Sequence, residues 1–204
     1  MDPDKEQEKY AVLVIQPRIP SGSFAFAEIP AGMLDDKSGD ITGKAVQELE
    51  EEVGIYVDRD ELTNMSELAV QDVPQKPWAK DAEDTATMSL SEWVADSMYP
   101  SVGGCDEFMP LMLLQKRLYM DEFKSLQDKK TGERHEGERI TLKLVPFKSL
   151  WKYGGRDAKC LAALSLYENL QREGHKGLKP MPDKPDDPEL VAAKKKARMD
   201  RKYT

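Results

Sequence analysis

The stretch Gln47-Glu48-Leu49-Glu50-Glu51-Glu52-Val53-Gly54-Ile55 decides the fold of this chain. Three of its glutamates, Glu48, Glu51 and Glu52, follow one another at helical spacing, which places their carboxylates on one face of a helix. An adjacent face is apolar and consists of Val46, Leu49 and Val53. We therefore predict a helix over residues 44–53, with one side in the core and the other strongly anionic.

Three carboxylates on one helical turn repel one another, and a divalent cation would relieve that repulsion. Hard oxygen ligands favour Mg²⁺ or Mn²⁺. Such ions, held between carboxylates and substrate phosphates, neutralise charge and orient a water for attack on a diphosphate. A glutamate cluster taken alone is more often a solvated helix face, but the surrounding residues favour a metal site.

A glycine loop, Pro30-Ala31-Gly32-Met33-Leu34-Asp35, precedes the helix, and the two together resemble the Nudix box, usually written Gx5Ex7REUxEExGU. The resemblance implies an α/β fold of the α+β type, in which a mixed β-sheet lies between helices in an α/β/α sandwich. It also implies that Mg²⁺, with Mn²⁺ as a substitute, is bound by the carbonyl of Ala31 and by Glu48, Glu51 and Glu52.

The chain departs from the box at two places. Gln47 stands where the family has an arginine. The loop is also one residue longer, so the place of the family's first glutamate is taken by Asp35, Asp36, Lys37 and Ser38. Because that glutamate and arginine support the loop against the helix in the family, we expect weaker support here. Losing both partners together avoids leaving one charge unpaired.

Segments outside the box resemble the ADP-sugar branch of the family, which includes ADP-ribose pyrophosphatases and plant or fungal ADP-sugar diphosphatases. Gln16-Pro17-Arg18 is similar to a Q-x-R motif, which implies that Arg18 binds the nucleotide or the diphosphate. A surface arginine in a turn is the alternative.

A second segment, Tyr99-Pro100-Ser101-Val102-Gly103-Gly104-Cys105-Asp106-Glu107, is similar to the S-P-G-G-x-x-E segment of the same branch. The likeness implies that Gly103 and Gly104 let the backbone approach the substrate and that Glu107 lies near the metal. A hairpin turn is the alternative.

The polar loop Thr131-Gly132-Glu133-Arg134-His135-Glu136-Gly137-Glu138-Arg139 resembles the branch's catalytic loop, where a glutamate is the general base. Glu138 is the first candidate and Glu136 the second, and Glu52 is a further residue with a predicted catalytic role. A mobile loop could deliver a base while excluding solvent. His135 is another possible base, although a lone loop histidine is more often incidental.

The segment Gly154-Gly155-Arg156-Asp157-Ala158-Lys159 is also similar to the plant and fungal branch. Asp157 near a helix N-terminus is a sufficient structural account of it. A last helix is predicted over residues 156–172. Strands are predicted over residues 10–15, 23–29, 55–57, 67–71, 108–115 and 140–145, and a polar, mobile loop over residues 121–139.

A chain of 204 residues suits one domain with extensions. We predict a polar N-terminal segment (1–9), one Nudix domain (10–176) with an inserted loop (72–98), and a disordered charged tail (177–204). The tail is predicted as disordered because its prolines, lysines and arginines bury too little apolar surface to order it.

The net charge of −8 argues against nucleic acid or an anionic membrane surface as a partner. No apolar run approaches the roughly 20 residues of a membrane span, and the charged start is unlike a signal peptide. Cys105 and Cys160 lie in no zinc or disulfide spacing, which favours a reducing compartment. We therefore expect a cytoplasmic protein.

The leading hypothesis is Mg²⁺-dependent hydrolysis of ADP-ribose or ADP-glucose to AMP and a sugar phosphate. The alternatives are a Nudix pyrophosphatase for another nucleoside diphosphate derivative, and a non-catalytic nucleotide-binding or scaffolding module. Members of the branch usually carry an N-terminal strand domain that exchanges across a homodimer and completes the pocket. This chain begins close to a core strand, so we expect weaker substrate affinity and dimerisation.

Overall fold

The structure is a computed structural model, and it describes residues 8–32, 40–71, 73, 95–132 and 138–202. The strands are β1 (Tyr10–Arg18), β2 (Ser23–Glu28), β3 (Thr63–Asn64), β4 (Met112–Leu113), β5 (Lys130–Thr131) and β6 (Ile140–Pro146). The helices are α1 (Ile41–Glu48), α2 (Met65–Val70), α3 (Met120–Leu126), α4 (Leu150–Tyr153), α5 (Ala158–Arg172) and α6 (Pro188–Lys202). A π-helical turn (Leu49–Val53) continues α1.

The main sheet has the strand order β2-β1-β6-β5, and a second sheet pairs β3 with β4. The central strands of the main sheet, β1 and β6, run antiparallel, with Val14 opposite Leu142. All pairs among the described strands are antiparallel, so the parallel pair that a mixed sheet requires is not seen in these ranges.

Successive residues of β1 point to opposite sides of the main sheet. Helices pack against these side chains on both faces. Val14 is fully buried in a cluster with Val53 of the π turn and Leu126 of α3. Leu13 is buried on the other side with Leu150 of α4 and Cys160 of α5. The predicted α+β class is therefore confirmed.

Three predicted strands and segments of both predicted helices are confirmed. Strand β1 runs further than predicted, through Pro17 to Arg18, with an irregular register after Gln16. Strands β2 and β6 and helix α5 match their predicted ranges closely. These elements carry the longest and most periodic apolar patterns, which is why the sequence predicts them well.

Several shorter predictions are wrong. Residues 55–57 form no strand, although Tyr56 and Val57 are buried. Residues 67–71 lie mostly in α2, whose first turn is capped by Asn64 accepting a hydrogen bond from the Glu67 N–H at 3.2 Å. Within 108–115 only β4 is a strand, and the segment predicted as a loop over 121–139 contains α3 and β5. Short apolar runs fit a buried coil or helix as well as a strand.

In the structure, the predicted tail contains α6 and contacts the folded domain. Leu178 packs against the core cluster around Met65 and Tyr167, and Lys179 Nζ donates to the Leu62 carbonyl at 2.6 Å. Lysine and arginine side chains of the tail pair with carboxylates of the folded domain. Composition alone does not reveal such pairs. The inserted loop and the start of the chain lie mostly outside the described residues, and the division into three segments stays a prediction.

Within the described ranges, no helix combines the length and the apolar character needed to cross a membrane.

Candidate active site

Helix α1 and its π turn form the floor of the site. Asp40 caps α1 by accepting from the Gly43 N–H at 3.0 Å, so the helix begins before the predicted residue 44. The Gly54 N–H closes the π turn on the Leu49 carbonyl at 3.2 Å, and Gly54 has a φ of 75°. Single π turns of this kind are frequent at functional sites. This one places Val53 in the core and buries Glu52 beside it.

Glu52 is a buried carboxylate, with 3% of its surface exposed. Its Oε2 accepts a hydrogen bond from the Ala31 N–H at 3.2 Å, which joins the π turn to the loop before α1. Burial, followed by the negative charges of Glu48 and Glu138, raises the pKa of Glu52 from 4.5 to about 8, although the Ala31 bond opposes that rise. Glu52 therefore lies within electrostatic reach of two other predicted site carboxylates.

Glu48 packs directly against Gly32 of the same loop. A Cβ placed on Gly32 would lie 1.9 Å from Glu48 Cδ, so only glycine leaves room for that side chain. Lys44 Nζ pairs with Glu48 Oε1 at 2.9 Å. The glycine of the box therefore has a local steric reason in this chain.

Glu138 stands two residues before the start of β6 and lies close enough to Glu52 for their charges to interact. The Thr131 hydroxyl donates to the Glu52 backbone carbonyl, which fixes β5 against the turn. A Cβ on Gly132, whose φ is 85°, would lie 3.0 Å from Glu138 Oε2. Glu48, Glu52 and Glu138 thus converge from two parts of the chain, whereas Glu136 and His135 lie outside the described residues.

Glu51 does not join this group. Its Oε1 accepts from Gln47 Nε2 at 2.8 Å on the exposed side of the helix. In the described part of the chain, no three histidine, cysteine, aspartate or glutamate residues are arranged as a metal-binding group. Carboxylate oxygens suit Mg²⁺ and Mn²⁺, so Glu48 and Glu52 fit such an ion by their chemistry. Glu51 would have to turn away from Gln47 to contribute.

Arg18 is engaged by a buried glutamate that the sequence analysis did not single out. Arg18 Nε donates to Glu28 Oε1 at 2.7 Å, and Lys159 Nζ pairs with Glu28 Oε2 at 3.0 Å. Burial raises the pKa of Glu28, but the hydrogen bonds from Arg18 and Lys159 outweigh it and lower that pKa. The position of Glu28 at the end of a strand, just before the glycine loop, was the available signal.

The predicted substrate segment around Gly103 forms an exposed turn. The N–H groups of Gly104 and Cys105 both donate to the Ser101 carbonyl at 2.9 Å. A Cβ on Gly103 would meet nothing within 4 Å. Glu107 is exposed and has no hydrogen bond or ion pair with any residue in the described ranges. This geometry agrees with the turn alternative, and substrate contacts for these residues stay a prediction.

Comparison with known proteins adds to this geometry. None of the protein-family models searched matches the chain. Over 171 residues the chain is 37% identical to Nudix hydrolase 14, chloroplastic, of Arabidopsis thaliana. The aligned part is 84% of this chain and 48% of the plant protein, so the chain spans about half of that relative's length. The chain is therefore similar to a protein named as a Nudix hydrolase, in agreement with its α+β fold and its glutamate-rich helix.

Proposed function

We propose that this protein hydrolyses the diphosphate bond of ADP-sugars such as ADP-ribose and ADP-glucose, giving AMP and a sugar phosphate, with Mg²⁺ as its cofactor. The observation that carries the proposal is the convergence of Glu48 and Glu138 on the buried carboxyl of Glu52, beside the Ala31–Glu52 hydrogen bond. Like charges held together in a buried place are costly unless a cation neutralises them. Hydrolase activity is also the activity named for the plant relative.

The residues have distinct roles in this proposal. Glu48, Glu52 and the Ala31 carbonyl would hold Mg²⁺, joined by Glu51 once it leaves Gln47. When bound, Mg²⁺ supplies charge neutralisation on the diphosphate and a more acidic water. Glu138 takes the proton of the attacking water as that water's oxygen bonds to phosphorus and the bridging P–O bond breaks. Arg18, Gly103, Gly104 and Glu107 would contact the substrate.

The test is AMP release from ADP-ribose and ADP-glucose with Mg²⁺ or Mn²⁺, with and without EDTA. We expect release that EDTA abolishes, and a loss of roughly 100-fold or more in the Glu138→Gln variant, in the range typical of a general base. Glu52→Gln should remove both turnover and metal binding. Persistent turnover in Glu52→Gln would refute the metal assignment.

A second candidate is a non-catalytic nucleotide-binding module, favoured by the hydrogen bond that holds Glu51 on Gln47. It predicts nucleotide binding without AMP release, and the same binding by Glu52→Gln. Release from another nucleoside diphosphate derivative, but from neither ADP-sugar, would instead keep the enzyme and change its substrate.

A further inference from the structure

The segment 154–159, which comprises the turn before α5 and the first two residues of α5, lies against the strand end that leads into the glycine loop. Asp157 is buried and caps α5 by accepting from the Lys159 N–H at 3.0 Å. Its other oxygen, Oδ2, accepts from the Ile29 N–H at 3.0 Å. Ile29 follows the last residue of β2 and stands two positions before Ala31. A helix cap thus also fixes the backbone where the loop begins.

Lys159 adds a second tie to the same place. Its Nζ lies 3.0 Å from both Glu28 Oε2 and Asp157 Oδ1. Only 3% of the Glu28 and Asp157 side chains is exposed, so Lys159, together with Arg18 on Glu28, neutralises two carboxylates that water barely reaches. Removing one partner of a buried ion pair leaves an uncompensated charge, and the chain around it rearranges.

The two glycines of the turn allow this close approach. A Cβ on Gly154 would lie 2.3 Å from Cys160 Sγ, and one on Gly155 would lie 2.5 Å from the Trp151 carbonyl oxygen. The turn therefore packs tightly onto the first residues of α5. That packing fixes Asp157 and Lys159 relative to the sheet.

We propose that Asp157 and Lys159 are positioning residues that hold the loop of Ala31 and Gly32 against the π turn. The inference rests on the proposed function for its consequence in metal binding. The connection runs from Lys159 through Glu28, and from Asp157 through the Ile29 N–H, to the Ala31 N–H that donates to Glu52. Neither residue touches the reacting atoms in this scheme.

Two readouts test the proposal on the whole 204-residue chain. The first is amide hydrogen exchange without metal, in which Lys159→Met should expose the Ile29 and Ala31 amides to faster exchange. The second is Mn²⁺ binding measured from the free-ion EPR signal. We expect Lys159→Met to weaken Mn²⁺ binding by roughly 10-fold or more, as is typical when an outer-shell partner of a metal site is lost.

Lys159→Arg keeps the charge and should restore protection and Mn²⁺ affinity. The matched control is Lys143→Met, because Lys143 pairs with Asp128 at 3.4 Å on the surface of β6, away from the loop. If Lys159→Met does not fold, Lys159→Gln replaces it, since glutamine still donates one hydrogen bond to Glu28.

The outcomes separate the two proposals. Wild-type protein that binds no Mn²⁺ overturns the proposed metal-dependent function, while the exchange data still decide whether Lys159 positions the loop. Wild-type protein that binds Mn²⁺, with unchanged exchange and affinity in Lys159→Met, overturns the positioning role alone.

Discussion

At the scale of single residues, three influences set the protonation of the Glu52 carboxyl, and two of them favour its neutral form. Burial removes its water, Glu48 and Glu138 add negative charge, and only the Ala31 N–H favours the ionised form. Glu51, the preceding residue in the chain, lies outside this environment and accepts a hydrogen bond from Gln47. Adjacent glutamates therefore have different chemistry because one faces the core and the other the surface.

The raised pKa of Glu52 predicts how stability depends on pH in metal-free protein. The folded state holds the proton more tightly than the unfolded state, so this contribution is complete below about pH 4.5 and is lost as pH rises to about 8. The loss is of the order of a few kcal/mol, because one pKa unit corresponds to about 1.4 kcal/mol. Urea unfolding in EDTA should show this slope in wild-type protein and a flatter one in Glu52→Gln. Equal slopes would contradict the burial of an ionisable Glu52.

Gly32 offers a second test at this scale. In Gly32→Ala the new methyl group would occupy the place of Glu48 Cδ and displace that flexible side chain rather than backbone. We expect Mn²⁺ affinity to fall roughly 10-fold or more, while the unfolding free energy changes little. Gly103→Ala is the control, since its Cβ meets nothing within 4 Å. Calorimetric titration and thermal unfolding measure the two quantities, and unaltered Mn²⁺ binding in Gly32→Ala would remove Glu48 from the ligand set.

At the scale of elements, the π turn sets which residues of the helix face the core. Its closure depends on Gly54, which adopts a left-handed conformation with φ of 75°. Gly22 adopts a similar conformation with φ of 68° in the turn between β1 and β2, with nothing within 4 Å of its Cβ position. Comparing substitutions at Gly54 and Gly22 therefore distinguishes the cost of backbone strain from an effect on the site.

We predict that Gly54→Ala and Gly22→Ala each cost roughly 1–2 kcal/mol of unfolding free energy, the usual cost of a left-handed residue with a side chain. The atom nearest a Cβ on Gly54 is Lys129 Nζ, at 2.5 Å, which can move aside. Only Gly54→Ala should also weaken Mn²⁺ binding, because it distorts the turn that carries Glu52. Chemical denaturation and EPR titration give both values, and equal Mn²⁺ affinities in the two variants would show that the turn tolerates the change.

The elements also show what the sequence can predict. Long periodic patterns predicted β1, β6 and α5. The resemblance to the Nudix box singled out Glu48 and Glu52, and the resemblance of the 131–139 loop to the branch's catalytic loop singled out Glu138, before any geometry was available. The sequence did not reveal that Glu51 pairs with Gln47, because that contact depends on a rotamer and a π turn. Partners far apart in the chain, such as Glu28 and Lys159, become visible only once the fold brings them together.

At the scale of the whole molecule, the charged C-terminal helix lies behind the π turn. Arg198 Nη1 pairs with Glu50 Oε1 at 2.6 Å, Nη2 donates to the Val57 carbonyl at 2.9 Å, and the guanidinium lies 4.6 Å from the centre of the Tyr56 ring. Lys194 pairs with Asp58 on the same surface. The C-terminal helix thus contacts residues within and just after the π turn that carries Glu52.

Arg198→Ala should lower the unfolding free energy by up to about 1 kcal/mol, as expected for partly exposed ion pairs. The difference from wild type should shrink in molar salt, because salt screens exposed charges. Arg156→Ala is the matched control, since Arg156 is exposed and has no hydrogen bond or ion pair within the described residues. Urea unfolding at low and high salt measures both, and an effect of Arg198→Ala equal to that of Arg156→Ala would mean that the Arg198 contacts add no stability.

The two cysteines differ sharply in their surroundings. Cys160 is buried under Gly154, and burial raises its thiol pKa to about 11, whereas Cys105 is exposed beside Gly104. Alkylating reagents attack the thiolate and need access to it. A maleimide dye should therefore label the native protein at Cys105 alone, without mutagenesis, and report by fluorescence when a nucleotide approaches that turn.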